Sequence, residues 1–464
     1  MAALAQVDPR VKPVLDPDFV PASLWNRAYR ETLNKVGGQE LKIALQRGED
    51  SISVFETRLL PDGPEFLAAN QLYVERLVKF LLWQKGGHRV RIAGNHEIAD
   101  FIRQVYSPAG RRAFDYHFMG EQVYLVPMQI EAAESREFPQ AKESAAPLGR
   151  HFNGCRIGFD LGGSDRKYAA VIDGNVVHAE EVAWDPYFKT DPAWHLEQIN
   201  EGLKRVAGHL PRVDAIGGSA AGVYVNNEVR VASLFRGVPR DIFNQKVRGL
   251  FGELKRLWGG IPFVVVNDGE VTALSGSMSL GQNAVLGIAM GTSLAAGYVT
   301  RQGNITDWLN ELAFAPIDYR PNAPVDEWSG DGGVGAQYFS QQAVARLAPL
   351  AGLDFPPDLP LPSRLVEVQK LMSAGDERAR KVYETIGVYF GYAIAHWADF
   401  YDVSTLLVLG RVLTGEGGNL IVSTAAEVLQ KDFPELCSQI AVRVPDEKDK
   451  RLGQAVAAAS LPVV

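Results

Sequence analysis

Two stretches decide the fold: Arg156-Ile-Gly-Phe-Asp160-Leu-Gly162-Gly163-Ser164 and Val285-Leu-Gly-Ile-Ala-Met-Gly291-Thr292-Ser293. Each is an apolar run of strand length that ends in a turn of glycine and hydroxyl residues. A second apolar run and turn follow in both, residues 168–176 around Gly174 and residues 295–305 around Gly303. Aligned on Ser164 and Thr292 the offset is 128, and on Gly174 and Gly303 it is 129. One residue of slippage therefore relates two copies of strand, turn, strand, turn, which predicts a degenerate internal duplication in an α/β chain. The competing reading is two unrelated hairpins that each happen to need glycine.

A Gly-Ser or Gly-Thr turn presents backbone N–H groups with no Cβ in the way and adds hydroxyl donors, which suits phosphate oxygens. Two such turns can hold a polyphosphate between two lobes, although one hairpin alone is more simply explained by a need for positive φ. Asp160 ends the first strand, where a carboxylate is poised to hold Mg²⁺ through waters, and Arg166 and Lys167 follow within reach. Between the copies, Pro262-Phe-Val-Val-Val-Asn267-Asp268 is an apolar strand with an amide and a carboxylate at its carboxyl end, ahead of a helix expected from near Glu270. Asp268 there can take a proton from a substrate hydroxyl that Asn267 orients, and an Asx helix cap is the alternative of equal weight. Residues 404–419 carry a further apolar strand, then Gly410, Gly415, Gly417 and Gly418 ahead of an amphipathic helix, a turn against which a base or ribose can lie.

Composition narrows the class. The 464 residues are 46% hydrophobic and 22% charged, an ordinary globular balance, and the length suggests about three domains. A net charge of −8 is the wrong sign for a chain whose main partner is nucleic acid. Cys155 and Cys437 are the only cysteines, so neither a disulfide framework nor a Cys-rich zinc cluster is expected. Pro9, Pro13, Pro17 and Pro21 occupy the region where a signal peptide needs an apolar run, and the most apolar stretch, residues 284–299, is broken by Gly287, Gly291 and Gly297. A cytoplasmic chain with no membrane partner is expected.

Residues 24–128 mix short apolar runs (41–45, 52–55, 90–93, 123–126) with amphipathic stretches of helix length (64–84, 97–106), the texture of a small α/β unit. Residues 131–150, polar and carrying Pro139 and Pro147, read as a linker. The expected division is an N-terminal α/β extension with linker over 1–150, a first lobe over 151–266 completed by a C-terminal helix within 441–464, and a second lobe over 267–440.

These segments, in this order, resemble the superfamily of sugar kinases, heat-shock chaperone ATPases and actin, and most closely its ROK (repressor, open reading frame, kinase) group. The resemblance spans residues 155–461, with 108 residues from Asp160 to Asp268, 23 on to Gly291 and 119 on to Gly410. It implies two actin-like (ribonuclease H-like) lobes around a cleft for ATP and substrate. By similarity Gly162, Gly163, Ser164 and Lys167 belong to a first phosphate segment with Asp160 on Mg²⁺, and Gly291, Thr292 and Ser293 to a second. Gly410 and Gly415 resemble the adenosine loop, Asn267 a sugar ligand and Asp268 the catalytic base. Residues 217–222 resemble the family's small-residue turn, and 451–460 its closing helix. Two departures stand out. The family's Glu-x-Gly-His becomes Glu311-Leu-Ala-Phe314, which keeps Glu311 as a substrate ligand and loses the histidine. Its Cys-Gly-x-x-Gly-Cys-x-Glu becomes Asp331-Gly-Gly-Val-Gly335-Ala336-Gln-Tyr338, so no structural zinc is expected.

The function implied is an ATP- and Mg²⁺-dependent kinase for a hydroxyl of a sugar or polyol. A sugar- or nucleotide-sensing regulator and a phosphotransferase with a non-sugar acceptor are the alternatives. A homodimer is compatible with the sequence, which leaves the oligomeric state open. Gly330-Asp-Gly332-Gly-Val-Gly335 matches G-x-G-x-x-G without a preceding strand and is not read as a dinucleotide site. His88, Arg89, Arg91, Arg103, Arg111 and Arg112 read as a solvated basic face, residues 184–194 as a packed loop in preference to a sugar-stacking one, and His396 with Trp397 as core.

Overall fold

The computed structural model of the chain describes residues 7–143, 148–445 and 447–464, with side chains for all of these but 447–452. Pro147 of the expected linker and the side chains of Arg451 and Leu452 lie outside the described residues.

The duplicated motif folds twice into the same topology. In the first lobe β5 (Cys155–Leu161), β6 (Asp165–Ile172) and β7 (Asn175–Ala183) form an antiparallel meander, and β8 (Ala215–Ala220) and β11 (Phe263–Asn267) extend it in parallel to give the order β11-β8-β5-β6-β7. In the second, β12 (Val285–Met290) and β13 (Leu294–Val299) repeat the hairpin, and β14 (Thr405–Leu409) and β15 (Ala441–Arg443) repeat the parallel extension, in the order β13-β12-β14-β15. The third meander strand shrinks there to one bridge between Ile305 and Val299. β5 is buried along its whole length, as a central strand covered on both faces must be.

Two helices, Asp268–Leu280 and Glu447–Ala459, lie against these sheets at close range. A Cβ on Gly158 of β5 or Gly217 of β8 would run into the carbonyl oxygens of Ala455 and Ala458. The duplicate contact is glycine on glycine, with Gly297 of β13 against the Gly269 carbonyl. The expected turn at 217–222 is thus mostly strand: residues up to Ala220 are β8, and the chain turns only at Gly222, with φ 127°. Small residues serve helix docking here and leave the turn to one glycine.

The N-terminal residues build a third sheet, β2-β1-β3-β4, from β1 (Gln39–Gly48), β2 (Ser51–Leu59), β3 (Arg89–Ala93) and β4 (Gln129–Ala132). Helices Pro64–Lys85 and His96–Val105 match the amphipathic stretches, and an additional helix, Ala22–Val36, buries Trp25, Tyr29 and Leu33 at four-residue spacing. The 123–126 run, expected as a strand, ends a π-helical segment, Phe118–Tyr124, and leaves it through Leu125 at φ 62°. Val123 enters the core from that segment, and β4 takes the pairing edge of β3 instead.

This sheet and the second lobe share one hydrophobic core, in which Phe80 stacks on Phe400 at 3.9 Å and Phe19 meets Tyr389 edge-on at 4.7 Å. A hairpin of the first lobe, β9 (Val223–Val225) and β10 (Glu228–Val231), joins in: Val223, Val225 and Val231 belong to that shared core, Tyr224 and Val229 to the core of the first lobe. His396 and Trp397 are core residues of helix Glu377–Ala398, as expected. No helix among the described residues is long and apolar enough to cross a membrane.

Candidate active site

Three neighbouring parallel strands bring the first set of polar groups together at their carboxyl ends, the usual ligand edge of an α/β sheet. Asp160 of β5 lies beside Ser219 of β8, whose hydroxyl donates to its Oδ1 at 2.6 Å, and Asn267 of β11 pairs with the next residue, Ala220. The β5–β6 register sets Lys167 opposite Asp160, and its Nζ lies 3.4 Å from Asp160 Oδ2 and 3.2 Å from Asp165. Burial raises the carboxyl of Asp160 above the ordinary range, against the pull of Ser219 and Lys167.

Asp268 opens the helix that follows β11, two residues before the expected start, and Asn267 is its cap. Burial, reinforced by the charge of Asp160, pushes Asp268 up to about 6. Glu311 is pushed up to about 7 by burial and by Asp268. Its loop is fastened to the N-terminal helix Pro64–Lys85, because the N–H groups of Asn310 and Glu311 donate to the carbonyls of Gln84 and Trp83 at 2.9 Å. Behind them Glu270, buried and pushed up to about 8, accepts from Asn310 Nδ2 at 2.5 Å and from the Tyr298 N–H at 3.2 Å. Sequence reasoning missed Glu270 as a member of this group. Its place three residues after the cap reads as a capping box, yet its carboxyl turns to Asn310 instead.

Asn267 is committed to backbone: its Oδ1 accepts from Gly269 at 2.7 Å, and its Nδ2 donates to the Gly222 carbonyl at 2.7 Å. These are the contacts of the Asx cap, and they also fix the turn after β8.

Ser164, Thr292 and Ser293 are exposed at the two duplicated turns. The first turn is tied down by Trp184, whose indole N–H donates to the Gly162 carbonyl at 2.7 Å, and by Tyr187, whose hydroxyl leaves no room for a Cβ on Gly163. Of residues 184–194, Trp184 and Pro186 are buried and Trp184 stacks on Trp194 in the first turn of helix Pro192–Ala207, while Phe188 is exposed. At the second turn nothing crowds Gly291. Gly410, at φ 109°, backs onto Met290 at the end of β12, so the turn after β14 lies beside that second turn. Gly415, at φ 74°, starts helix Glu416–Asp432.

The two departures from the family pattern are filled by the N-terminal segment. Phe314 packs on Trp83 at 4.5 Å and on Trp328 at 5.0 Å. Asp331 ion-pairs with Lys79 and Arg112, and Lys79 also bonds both oxygens of Asp115, at 2.8 and 3.0 Å. Arg112, which reads as part of a solvated basic face, is buried in this network and also bonds Glu75 at 2.5 Å. Tyr338 donates to Asp318 at 2.8 Å. The pairs of Asp331 with Lys79 and Arg112 join residues more than 200 positions apart, which a single sequence does not display.

Among the described residues no group of three or more His, Cys, Asp or Glu is placed to hold a metal ion by itself. One carboxylate with hydroxyls around it suits Mg²⁺, which keeps waters and takes phosphate oxygens as its remaining ligands.

No protein-family model and no curated protein matches the chain. Solved structures do. A ROK hexokinase from Thermus thermophilus aligns at TM-score 0.52 and 19% identity, over 66% of this chain and 96% of its own. A ROK family transcriptional regulator, described as a homolog of the E. coli MLC protein, aligns at TM-score 0.50 and 18% identity, over 70% of this chain and 82% of its own. The chain is similar to both, and these likenesses show its fold: the two-lobed α/β architecture of ROK proteins.

Proposed function

We propose that the chain is a ROK-type kinase that transfers the γ-phosphoryl group of Mg-ATP to a hydroxyl of a sugar or polyol. The observation that carries this reading is Asp268, a carboxylate at the strand ends, held at about 6 by burial and by Asp160. A base in that range is ionised at neutral pH and still holds a proton well enough to take one from an alcohol during transfer. Glu311 is the acceptor's second hydroxyl ligand, and Asn267 supports the site by fixing the Gly222 turn and the start of the helix.

The exposed hydroxyls of Ser164, Thr292 and Ser293, the uncrowded Gly291 and the Lys167 ammonium fit the phosphates of ATP, and Gly410 with Gly415 fits its nucleoside. Asp160, shared between Ser219 and Lys167, would hold Mg²⁺ through water. Bound Mg-ATP supplies the phosphoryl donor; the protein supplies position, a proton acceptor and exclusion of water. The domain division at about 150 and 266, with the closing helix returned to the first lobe, belongs to the same proposal.

Coupled ADP release with Mg-ATP against hexoses, amino sugars, polyols and inositols, for wild type beside Asp268→Asn, tests it. Turnover that needs one acceptor and vanishes in the variant is the expected result. Nucleotide binding without acceptor-dependent turnover would favour a sensing regulator, a reading supported by the regulator of like fold and by Phe314 in place of a polar ligand.

A further inference from the structure

Away from the carboxylate cluster, the seam between the N-terminal segment and the first lobe holds a cavity of about 220 Å³ lined by Gln122, Arg230, Arg236, Arg240 and Arg248. Arg230 is carried by β10, and the Arg248 carbonyl accepts from the N–H of its neighbour Val229 at 3.1 Å, so one backbone link sets the two side chains together. The Arg230 side chain is only 9% exposed. Among the described residues its one ion-pair partner is Glu228, 2.9 Å from a single terminal nitrogen, and its Nε and other terminal nitrogen have no acceptor. Arg248 Nε is also buried without an acceptor. Among the described residues, neither Arg248 nor the exposed Arg236 and Arg240 forms an ion pair, and Arg236 rests on the Tyr187 ring at 4.0 Å.

Buried guanidinium donors without acceptors are costly, and like charges side by side raise the cost. Burial, with the Arg248 charge beside it, draws the guanidinium of Arg230 below its ordinary range. Among the described residues a single carboxylate, Glu228, is ion-paired with any of these four cations, so the missing partner is an anion with several acceptor oxygens. A tetrahedral oxyanion meets forked N–H donors from more than one direction, which a lone carboxylate does not.

We propose that this cavity binds a phosphate group, free or carried on a small molecule, at a site separate from the glycine turns. The site depends on Gln122 as well as on the first lobe, so it exists only where the N-terminal segment meets hairpin β9–β10.

Calorimetric titration of inorganic phosphate and of glucose 6-phosphate into the full chain tests this, using wild type, Arg248→Gln, Arg240→Gln and Lys167→Gln. The expected result is saturable binding that weakens about tenfold in Arg248→Gln, weakens less in the exposed Arg240→Gln, and is unchanged in Lys167→Gln. If Arg248→Gln loses the native melting transition, Arg240→Gln decides. The tighter of the two probes identifies the source of the phosphate. No saturable binding, or binding lost in Lys167→Gln and kept in the arginine variants, would overturn the proposal. None of these readouts requires phosphoryl transfer, so the kinase reading stands or falls separately.

Discussion

Burial, together with the charge of Asp160 near the end of β5, holds the carboxyl of Asp268, the first residue after β11, near 6. Asp160 belongs to β5 and Asp268 opens the helix that leaves β11, and on the strand between them, β8, the hydroxyl of Ser219 donates to Asp160. For a base that must be ionised, kcat/KM should fall as pH drops through about 6, well above the ordinary aspartate range. A pH–rate profile with its acid limb near 4 would contradict this environment.

Asp268→Asn should separate activity from stability. Turnover is expected to fall by about 10²–10⁴-fold, as for loss of a general base. Stability should move the other way. The folded-state carboxyl is raised above its unfolded value, so its contribution is fully present below about 4 and is lost as pH rises through about 6. The variant should therefore gain on the order of 3 kcal/mol over wild type at pH 7.5, and little at pH 4. Paired urea melts at the two pH values read this out.

Lys79 is fully buried between Asp115 and Asp331. Lys79→Met leaves two carboxylates with one compensating cation fewer, and a loss of about 3–5 kcal/mol is expected. Replacing Asp331 with Asn as well should restore part of it, since the uncompensated charge goes too. A double-mutant cycle by chemical denaturation measures the coupling.

Residues 1–150 expressed alone should not fold. Trp25, Tyr29, Leu77 and Phe80 share their core with residues of the second lobe, and Lys79 and Arg112 leave a partner behind at Asp331. Circular dichroism without a cooperative melt is the expected outcome; a sharp transition would make the segment autonomous.

Gly217→Ala places a methyl group in the Ala458 carbonyl. The backbone on both sides must shift, at about 1–3 kcal/mol, with a matching drop in thermal midpoint.

The duplicated hairpin was legible because its signals are local: apolar runs, glycine turns and a nearly constant offset between Ser164 and Thr292. The carboxyl end of β11 was equally visible, as a strand that stops at Asn267 and Asp268. What was not legible depends on distant partners. Glu270 looks like an ordinary capping residue until Asn310 is placed beside it. Residues 123–126 have a strand's composition, but the edge of β3 is taken by β4. The arginine cluster draws on residues 230–248, and only the position of Gln122 closes it into a cavity.

Hairpin β9–β10 has one face in each of two cores, with Val223, Val225 and Val231 on the side of the N-terminal sheet. Any hinge motion that parts the first lobe from that sheet must draw these valines into water, at about 1.5–3 kcal/mol for each one fully exposed. The N-terminal segment would thus oppose such travel. Were the lobes to move in this way, adhesion at a point remote from the carboxylates would resist the opening, and shortening those three side chains would weaken that resistance while leaving the carboxylates in place.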